Sequence, residues 1–204
     1  MTEDILAVAA GYLLGSMPWG YWLPRLFLHL DIRTLGSGNP GATNVWRVLG
    51  FRWGLAVAML DIAKGLAAAL VGRWVGGDLV GVLAGFAAMA GHWRPLFLKW
   101  GKGGKMVATT GGVGLGLATF ASLAAAGVWI AVFLVTRYAS VASMVSAATL
   151  PLFALLFGAS WPVVTFTVVA AIGIVLLHKA NIARLFRGTE NRFELRRGRA
   201  AQGA

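Results

Sequence analysis

The sequence has no cysteine, seven acidic residues and three histidines among its 204 residues. The lack of cysteine excludes disulfides, thiol nucleophiles, cysteine-ligated zinc and iron–sulfur clusters. So few acids and histidines make a metal site built by the protein unexpected. Charged residues form only 12% of the chain, whereas globular domains carry roughly a quarter. We therefore expect no ordinary soluble domain, and no metal, cofactor or nucleic acid as a ligand.

What the chain has instead is apolar sequence, which makes up 58% of its residues. Its apolar runs approach or exceed the roughly 20 residues that cross a bilayer as a helix. They lie at 5–28, 55–76, 79–98, 107–136, 141–158 and 161–178. Glu3 and Asp4 precede the first run directly, which disfavours a cleaved signal peptide. The sequence predicts an all-α polytopic membrane protein, with residues 1–204 forming a single integral-membrane domain.

The net charge of +11 predicts a topology. If the long run at 107–136 crosses once, the basic loop at 99–106 and the basic C-terminal region lie on opposite faces. If it crosses twice, at about 107–119 and 120–136, nearly all basic residues share one face. The positive-inside rule favours the second arrangement. We therefore expect about seven transmembrane helices, with the N-terminus outside and the C-terminus cytoplasmic.

The first of three polar clusters spans residues 35–47, Leu-Gly-Ser-Gly-Asn-Pro-Gly-Ala-Thr-Asn-Val-Trp-Arg. Its three glycines permit positive φ, and successive N–H groups there can form an anion-binding concavity. Thr43 or Asn44 could cap a following helix, whose N-terminus also attracts anions. Arg47 adds a planar set of donors suited to phosphate. The alternative is a turn-rich loop with an orienting arginine, since no strand precedes it to form a Rossmann unit.

The second cluster spans residues 99–112 and contains Lys102-Gly103-Gly104-Lys105. Two lysine cations beside two glycines, whose backbone N–H groups are accessible, again suit a phosphate, although the spacing of glycine and lysine is not that of a P-loop. The alternative is an ordinary basic turn on the cytoplasmic face. Elsewhere, Asp61 and Lys64 stand three residues apart inside an apolar run, where isolated charges are costly. We interpret that pair as structural support.

The third cluster spans residues 178–190. His178, Asn181 and Arg184 recur every third residue, close enough to share a stripe on a helix that continues from the last apolar run. A juxtamembrane helix whose cations meet anionic lipid is the alternative. That alternative explains the arginines but not His178, Asn181 or Glu190. A short basic tail follows at 191–204.

Together the clusters resemble the bacterial acyl-phosphate:glycerol-3-phosphate acyltransferase family, known as PlsY. The matching strings are Gly36-Ser37-Gly38-Asn39-Pro40-Gly41-Ala42-Thr43-Asn44 with Arg47, Lys102-Gly103-Gly104-Lys105 with Val107-Ala108-Thr109, Asp61-x-x-Lys64-Gly65, and His178, Asn181, Arg184, Gly188 and Glu190. The resemblance spans nearly the whole chain. It implies seven membrane helices in the bacterial cytoplasmic (inner) membrane, with the motifs on the cytoplasmic face.

The resemblance also implies an activity, the transfer of a fatty acyl group from acyl phosphate to the sn-1 hydroxyl of glycerol 3-phosphate. The products are lysophosphatidic acid and phosphate, as in the first acylation step of phospholipid biosynthesis. Two departures from the family pattern concern the second cluster. Trp100-Gly101-Lys102 is one residue longer than usual, and Met106 stands where the family commonly has glycine.

The resemblance and the chemistry of the side chains together assign roles. The expected catalytic residues are Ser37, Arg47, Lys105, His178 and Asn181. The expected substrate-binding residues are Gly38, Asn39, Gly41, Thr43, Asn44, Lys102, Gly103, Gly104, Thr109, Arg184 and Glu190. Within this set, Ser37 and Arg47 would hold glycerol 3-phosphate, while the lysines and glycine amides of the second cluster would hold acyl phosphate. Membrane lipids and an enzyme that makes acyl phosphate are the further expected partners.

The sequence has neither an HxxxxD string nor a Gly-x-Ser-x-Gly nucleophile elbow. Acyl phosphate is already activated, so we expect direct transfer without a covalent acyl-enzyme, driven by positioning and electrostatics. His178 is a candidate general base, and a donor phosphate oxygen is the alternative proton acceptor. Two other functions remain open, a transporter of phosphorylated anions or lipids and a non-catalytic lipid-binding or assembly subunit.

Overall fold

The computed structural model describes residues 1–193, so most of the expected basic tail, residues 194–204, lies outside the described part. Residues 1–193 contain no strand, in agreement with the expected all-α class. The helices are α1 (Thr2–Gly15), α2 (Trp19–Leu28), α3 (Ala42–Leu49), α4 (Phe51–Trp93), α5 (Val107–Leu117), α6 (Thr119–Thr136), α7 (Ala139–Leu156), α8 (Trp161–Leu177) and α9 (Lys179–Phe186). Short 3₁₀ turns lie at Ile32–Thr34 and Leu96–Leu98.

The first apolar run is not one helix, contrary to the prediction of a span at 5–28. α1 ends at Gly15 and α2 begins at Trp19. The break coincides with Pro18, which has no backbone N–H and disfavours a helical conformation in the residue before it. α1 packs closely on the second half of α4, because a Cβ on Gly11 would meet the Ala84 carbonyl oxygen at 2.5 Å.

α4 is two helices joined at Gly76 and Gly77, whose backbone angles are non-helical. Gly77 has φ +69°, a conformation that glycine adopts without strain. The halves, residues 51–75 and 78–93, fold back on each other, because a Cβ on Gly72 would meet the Val80 carbonyl oxygen at 2.6 Å. The turn falls at the expected boundary between the runs at 55–76 and 79–98.

The long run at 107–136 does divide, as the charge argument predicted. α5 ends at Leu117 and α6 begins at Thr119, with non-helical angles at Ala118. α5 is short, and its glycines let it approach α4 closely. A Cβ on Gly112 would meet the Ile62 carbonyl oxygen at 2.0 Å. Val113 of α5 and Phe166 of α8 are fully buried in the main apolar core.

Three stretches of the described chain are long and apolar enough to cross a membrane, Phe51–Leu98, Thr119–Thr136 and Ala139–Leu156, and α8 with α9 forms a fourth as a bent pair. The helix does not continue straight past His178, as the sequence suggested, because α8 and α9 meet at a bend of 54°. That bend turns α9 across one end of the bundle, where α3 and the loops before α3 and α5 also lie. At the opposite end, Arg73 and Asp78 form an ion pair at 3.1 Å.

Candidate functional site

A cavity of about 440 Å³ opens among the loops before α3 and α5 and the helices α4, α6, α7, α8 and α9. Its mouth is polar and carries the cations of Arg47, Lys105 and Arg184, with the Glu190 carboxylate beside them. Its inner wall is largely apolar and is formed by Leu55, Ala58, Ile62, Ala125, Trp129, Ile130, Leu150 and Ile174. The cavity therefore suits a ligand with an anionic group at one end and a hydrocarbon part at the other.

Asn44 holds the first loop in shape. Its Oδ1 accepts from the Ser37 N–H at 2.8 Å, and its Nδ2 donates to the Leu35 carbonyl oxygen at 3.0 Å. The Asn44 side chain is thus a loop brace. The expected helix cap by Thr43 or Asn44 is wrong, because α3 begins after Gly41 with no side-chain cap. The brace leaves the exposed Ser37 side chain at the cavity mouth.

The second loop is docked onto the end of α4 by its glycines. The N–H groups of Gly103 and Gly104 donate to the carbonyl oxygens of Trp93 and His92 at 2.9 and 3.0 Å. A Cβ on Gly104 would lie 2.0 Å from His92 Nε2. Both amides are therefore occupied, which argues against the expectation that they hold the donor phosphate. The glycines are instead needed because the loop backbone lies so close to His92 that a side chain would not fit.

Beneath this loop lies a group that we call the inner cluster, made of Asp61, Lys64 and His92. Lys64 Nζ lies 2.8 Å from both Asp61 Oδ1 and His92 Nδ1. Lys64 also donates to the Met17 carbonyl oxygen at 2.9 Å, so it ties the break between α1 and α2 to α4. All three side chains are buried. The expected pairing of Asp61 with Lys64 is present, and His92, 28 positions from Lys64 in the chain, completes the group.

A second group at the cavity mouth, which we call the mouth cluster, joins Arg47, Lys105, Asn181, Arg184 and Glu190. Glu190 Oε1 accepts from Asn181 Nδ2 at 2.6 Å, and Glu190 Oε2 accepts from Arg184 Nε at 2.7 Å. Asn181 Oδ1 in turn accepts from Lys105 Nζ. Asn181 therefore links the second sequence cluster to the third through its two amide atoms.

Ionisation of the mouth cluster follows from its packing. The pKa of Lys105 is lowered to about 8, because burial, together with the neighbouring cations Arg184, Lys102 and Arg47, outweighs the opposing effect of Glu190. Burial alone would raise the pKa of Glu190, but hydrogen bonds from Asn181, Ser140 and Arg184 bring it below its usual value. Glu190 is therefore ionised at neutral pH, and Lys105 is mostly charged.

His178 lies at the bend between α8 and α9 and faces the cavity. Its Nδ1 lies 2.7 Å from the Ile174 carbonyl oxygen. Because a carbonyl oxygen can only accept, Nδ1 carries the proton in the neutral ring. Nε2 is then an acceptor, and a hydroxyl group in the cavity can donate to it.

Met106, the departure from the family pattern, has φ +69° at the start of α5. This left-handed conformation explains why glycine suits the position, since a side chain there costs about 1–2 kcal/mol. The Met106 side chain is buried in the main apolar core. Burial of the side chain offsets the backbone cost, so the longer second cluster still leads into α5.

Eleven of the sixteen expected site residues line the cavity. They are Ser37, Asn39, Gly41, Thr43, Asn44, Arg47, Lys105, His178, Asn181, Arg184 and Glu190. The other five, Gly38, Lys102, Gly103, Gly104 and Thr109, do not line it. Lys102 is exposed, and Thr109 is fully buried against Gly65 of α4. Of the expected donor site, Lys105 alone lines the cavity.

Several cavity residues were missed by sequence reasoning. Ser140 donates to Glu190 Oε1 at 2.8 Å, yet nothing distinguishes it from the other small residues of α7. Asp61 and His92 reach the cavity from α4. A titratable side chain inside an apolar run is a visible signal, which the sequence analysis interprets only for Asp61, as structural support.

Comparisons with known proteins agree on one family. The family model for glycerol-3-phosphate acyltransferases matches residues 5–188. Glycerol-3-phosphate acyltransferases of Desulforudis audaxviator and of a Synechococcus species are 47% and 46% identical to this chain, each over 193 residues. The first alignment covers 95% of this chain and 97% of the relative, and the second covers 94% and 96%.

Two solved structures of PlsY, an integral membrane glycerol 3-phosphate acyltransferase, share this fold. The glycerol 3-phosphate form superposes with a TM-score of 0.89 at 37% identity, covering 94% of this chain and 96% of PlsY. The lysophosphatidic acid form gives a TM-score of 0.86 at 36% identity, covering 94% and 95%. With the cavity and its polar mouth, these matches establish the assignment. The chain belongs to the glycerol-3-phosphate acyltransferase family that includes PlsY, and it is a membrane-embedded acyltransferase.

Proposed function

We propose that the chain transfers a fatty acyl group from acyl phosphate to the sn-1 hydroxyl of glycerol 3-phosphate. The products are lysophosphatidic acid and inorganic phosphate, as in the first acylation step of phospholipid biosynthesis. One observation carries the proposal. The cavity mouth sets three cations, Arg47, Lys105 and Arg184, against the carboxylate of Glu190, and the inner wall is largely apolar. Phosphate groups fit the first feature and an acyl chain fits the second.

Ser37 and Arg47 hold the phosphate of glycerol 3-phosphate in this proposal. Lys105 lies across the mouth and neutralises the phosphate of the donor, where negative charge grows as the acyl group departs. The hydroxyl oxygen attacks the acyl carbonyl carbon, and the bond from that carbon to the phosphate oxygen breaks. Phosphate leaves with the electron pair, so no acyl-enzyme forms.

His178 Nε2 accepts the hydrogen bond of the attacking hydroxyl and orients it. The proton then passes to an oxygen of the departing phosphate, because a protonated His178 beside the Lys105 cation would be disfavoured. Replacing His178 with alanine should therefore raise the KM for glycerol 3-phosphate and keep most of kcat. A loss of about 10²-fold or more in kcat would instead make His178 the general base.

The topology in this proposal has seven crossings, made by α1, the two halves of α4, α5, α6, α7 and α8. The N-terminus is outside and the cavity mouth faces the cytoplasm of a bacterial inner membrane. Its support is that Arg73, Asp78 and Ser160 meet at one end of the bundle, whereas the basic loops meet at the other. The positive-inside rule then fixes the orientation.

The test is purified protein in sealed vesicles, supplied with glycerol 3-phosphate and either acyl phosphate or acyl-CoA. With glycerol 3-phosphate as acceptor, we expect lysophosphatidic acid and phosphate in equal amounts when acyl phosphate is the donor, and no product when acyl-CoA is the donor. Acyl phosphate without the acceptor should release no burst of phosphate, because a burst marks a covalent intermediate. Uptake of glycerol 3-phosphate into the vesicles without product would identify a transporter and overturn the proposal.

A further inference from the structure

Phe193 lies three residues after the end of the third sequence cluster, beyond the residues 5–188 that the family model matches. It is nonetheless buried, with 8% of its surface exposed. Its ring centre lies 4.7 Å from that of Trp46 and 5.3 Å from that of Phe133. Its N–H donates to the Arg137 carbonyl oxygen at 2.9 Å. The chain after α9 therefore returns to the bundle, where Phe193 forms an aromatic anchor.

The segment between α9 and this anchor, residues 188–193, is fastened at two points. Glu190 is held by Ser140, Asn181 and Arg184, and Phe193 is held among Trp46, Phe133 and Ala139. Asn191 lies between these points and lines the cavity. The segment forms a fixed wall of the cavity mouth.

The Phe193 ring supports the guanidinium of Arg47. The guanidinium carbon lies 4.8 Å from the ring centre. Arg47 Nε is buried, and it has no hydrogen-bond partner among residues 1–193. Arg184 differs in this respect, because its Nε donates to Glu190. A carboxylate beside Arg47 would hold it in place but would also occupy its donors and cancel its charge.

An aromatic face holds a guanidinium without using its N–H donors, because the attraction acts on the flat face of the cation. We propose that Phe193 is a positioning residue for the glycerol 3-phosphate site. It keeps the Arg47 guanidinium in place while leaving its hydrogen-bond donors and its charge available to the phosphate. This inference rests on the proposed function, in which Arg47 binds glycerol 3-phosphate.

The test compares side chains that fill the space with and without an aromatic face. Phe193→Leu and Phe193→Met keep an apolar anchor but remove the ring, whereas Phe193→Trp keeps a ring face. Each variant is measured for the KM of both substrates, for kcat, for Tm, and for the Kd of glycerol 3-phosphate in the purified protein. Phe133→Leu is the matched control, because Phe133 packs on the Phe193 ring within the same aromatic cluster.

We expect the aliphatic variants to raise the KM and Kd of glycerol 3-phosphate by about 2- to 30-fold, the range that a cation–π contact supports. The KM of acyl phosphate and the Tm should stay near wild type, and tryptophan should restore acceptor binding. In the Arg47→Ala background, Phe193→Leu should add no further loss.

A wild-type KM and Kd in Phe193→Leu or Phe193→Met would overturn the inference. An equal rise in the KM of both substrates, in step with a lower Tm, would also overturn it, since that describes a structural anchor only. The proposed function fails differently. A wild-type protein that makes no lysophosphatidic acid, or an Arg47→Ala variant with full activity, contradicts the assigned reaction or acceptor site rather than the role of Phe193.

Discussion

The inner cluster and the mouth cluster are built from similar side chains but differ in the balance of positive and negative charge. The inner cluster sets Lys64 against Asp61 and adds His92, and each of the three contacts another member at 2.8 Å. The mouth cluster sets Arg47, Lys105 and Arg184 against Glu190. One group is closed upon itself, whereas the other keeps two more cations than carboxylates.

This difference in charge balance indicates that the inner cluster serves stability and the mouth cluster serves ligand binding. A buried ion pair that loses one partner is strongly destabilising, because the remaining charge has left water without compensation. A surplus of cations facing a cavity also carries a cost in the empty protein, but an anionic ligand removes it. Sites that bind or react commonly hold such locally unfavourable arrangements. Substitutions in the two clusters should therefore affect different measurements.

The largest expected effect is on stability, from Asp61→Asn in the inner cluster. Removing this carboxylate leaves the Lys64 ammonium buried without a counter-charge, and we expect a loss of about 3–5 kcal/mol in the free energy of unfolding. The free energy of unfolding is measured in mixed micelles that contain an increasing fraction of a denaturing detergent. The neutral pair Asp61→Leu with Lys64→Met should regain most of the loss. A double variant no more stable than Asp61→Asn would show that packing, not charge balance, sets the cost.

The next effect is on activity, from Arg47→Ala in the mouth cluster. Loss of a charged hydrogen-bond donor to the phosphate of glycerol 3-phosphate should lower kcat/KM by about 10²- to 10³-fold. Stability should be unchanged or slightly higher, because burial disfavours the charged form of Arg47 and thereby lowers its pKa. Arg52→Ala is the control, since Arg52 is exposed nearby at the start of α4. A large loss of stability with Arg47→Ala would contradict the division between the two clusters.

The smallest effect is on pH dependence and comes from Lys105. Its pKa of about 8 means that the free protein loses the ammonium charge as pH rises through that value. The charged form binds phosphate, so kcat/KM should be steady well below pH 8, reach half of its plateau near pH 8 and fall further above it. Bound phosphate favours the ammonium, so kcat should fall at a higher pH than kcat/KM.

Lys105→Arg provides the comparison for this profile, because a guanidinium stays charged throughout the measured range. Its residual activity should show no alkaline fall between pH 7 and about 10. An identical fall in the arginine variant would assign the titration to another group. The second ionisation of a phosphate monoester has a pKa near 6, so it is nearly complete at pH 7, where the measured range begins.

Much of the fold followed from the spacing of apolar runs and charges. The turn at Gly76 and Gly77 and the break at Ala118 lie where the runs and the positive-inside rule placed them. The break before Pro18 was missed, although a proline inside an apolar run was a visible signal. It was missed because residues 5–28 suit one crossing by length alone, and hydropathy does not report backbone geometry.

The site was predictable where it depends on local motifs and unpredictable where it depends on helix packing. Ser37, Arg47 and His178 belong to strings whose chemistry can be inferred from the sequence. The contact between Lys105 and Asn181 joins residues 76 positions apart, and no short-range pattern encodes it. In the sequence, Phe193 is part of a short basic tail. Its contact with the Arg47 guanidinium arises only when the helices are packed together.

The packing of α1 bears on how the chain is assembled. Gly11 and Gly15 of α1 lie against Ala84 and Ala88, so the ribosome makes the first helix long before its partner surface exists. In the bilayer this delay is inexpensive, because lipid tails are as apolar as leucine and no hydrophobic force drives the helices together. Membrane insertion of α1 and its docking are therefore separate events in time. A nascent chain stopped before residue 84 should carry α1 inserted but not yet packed.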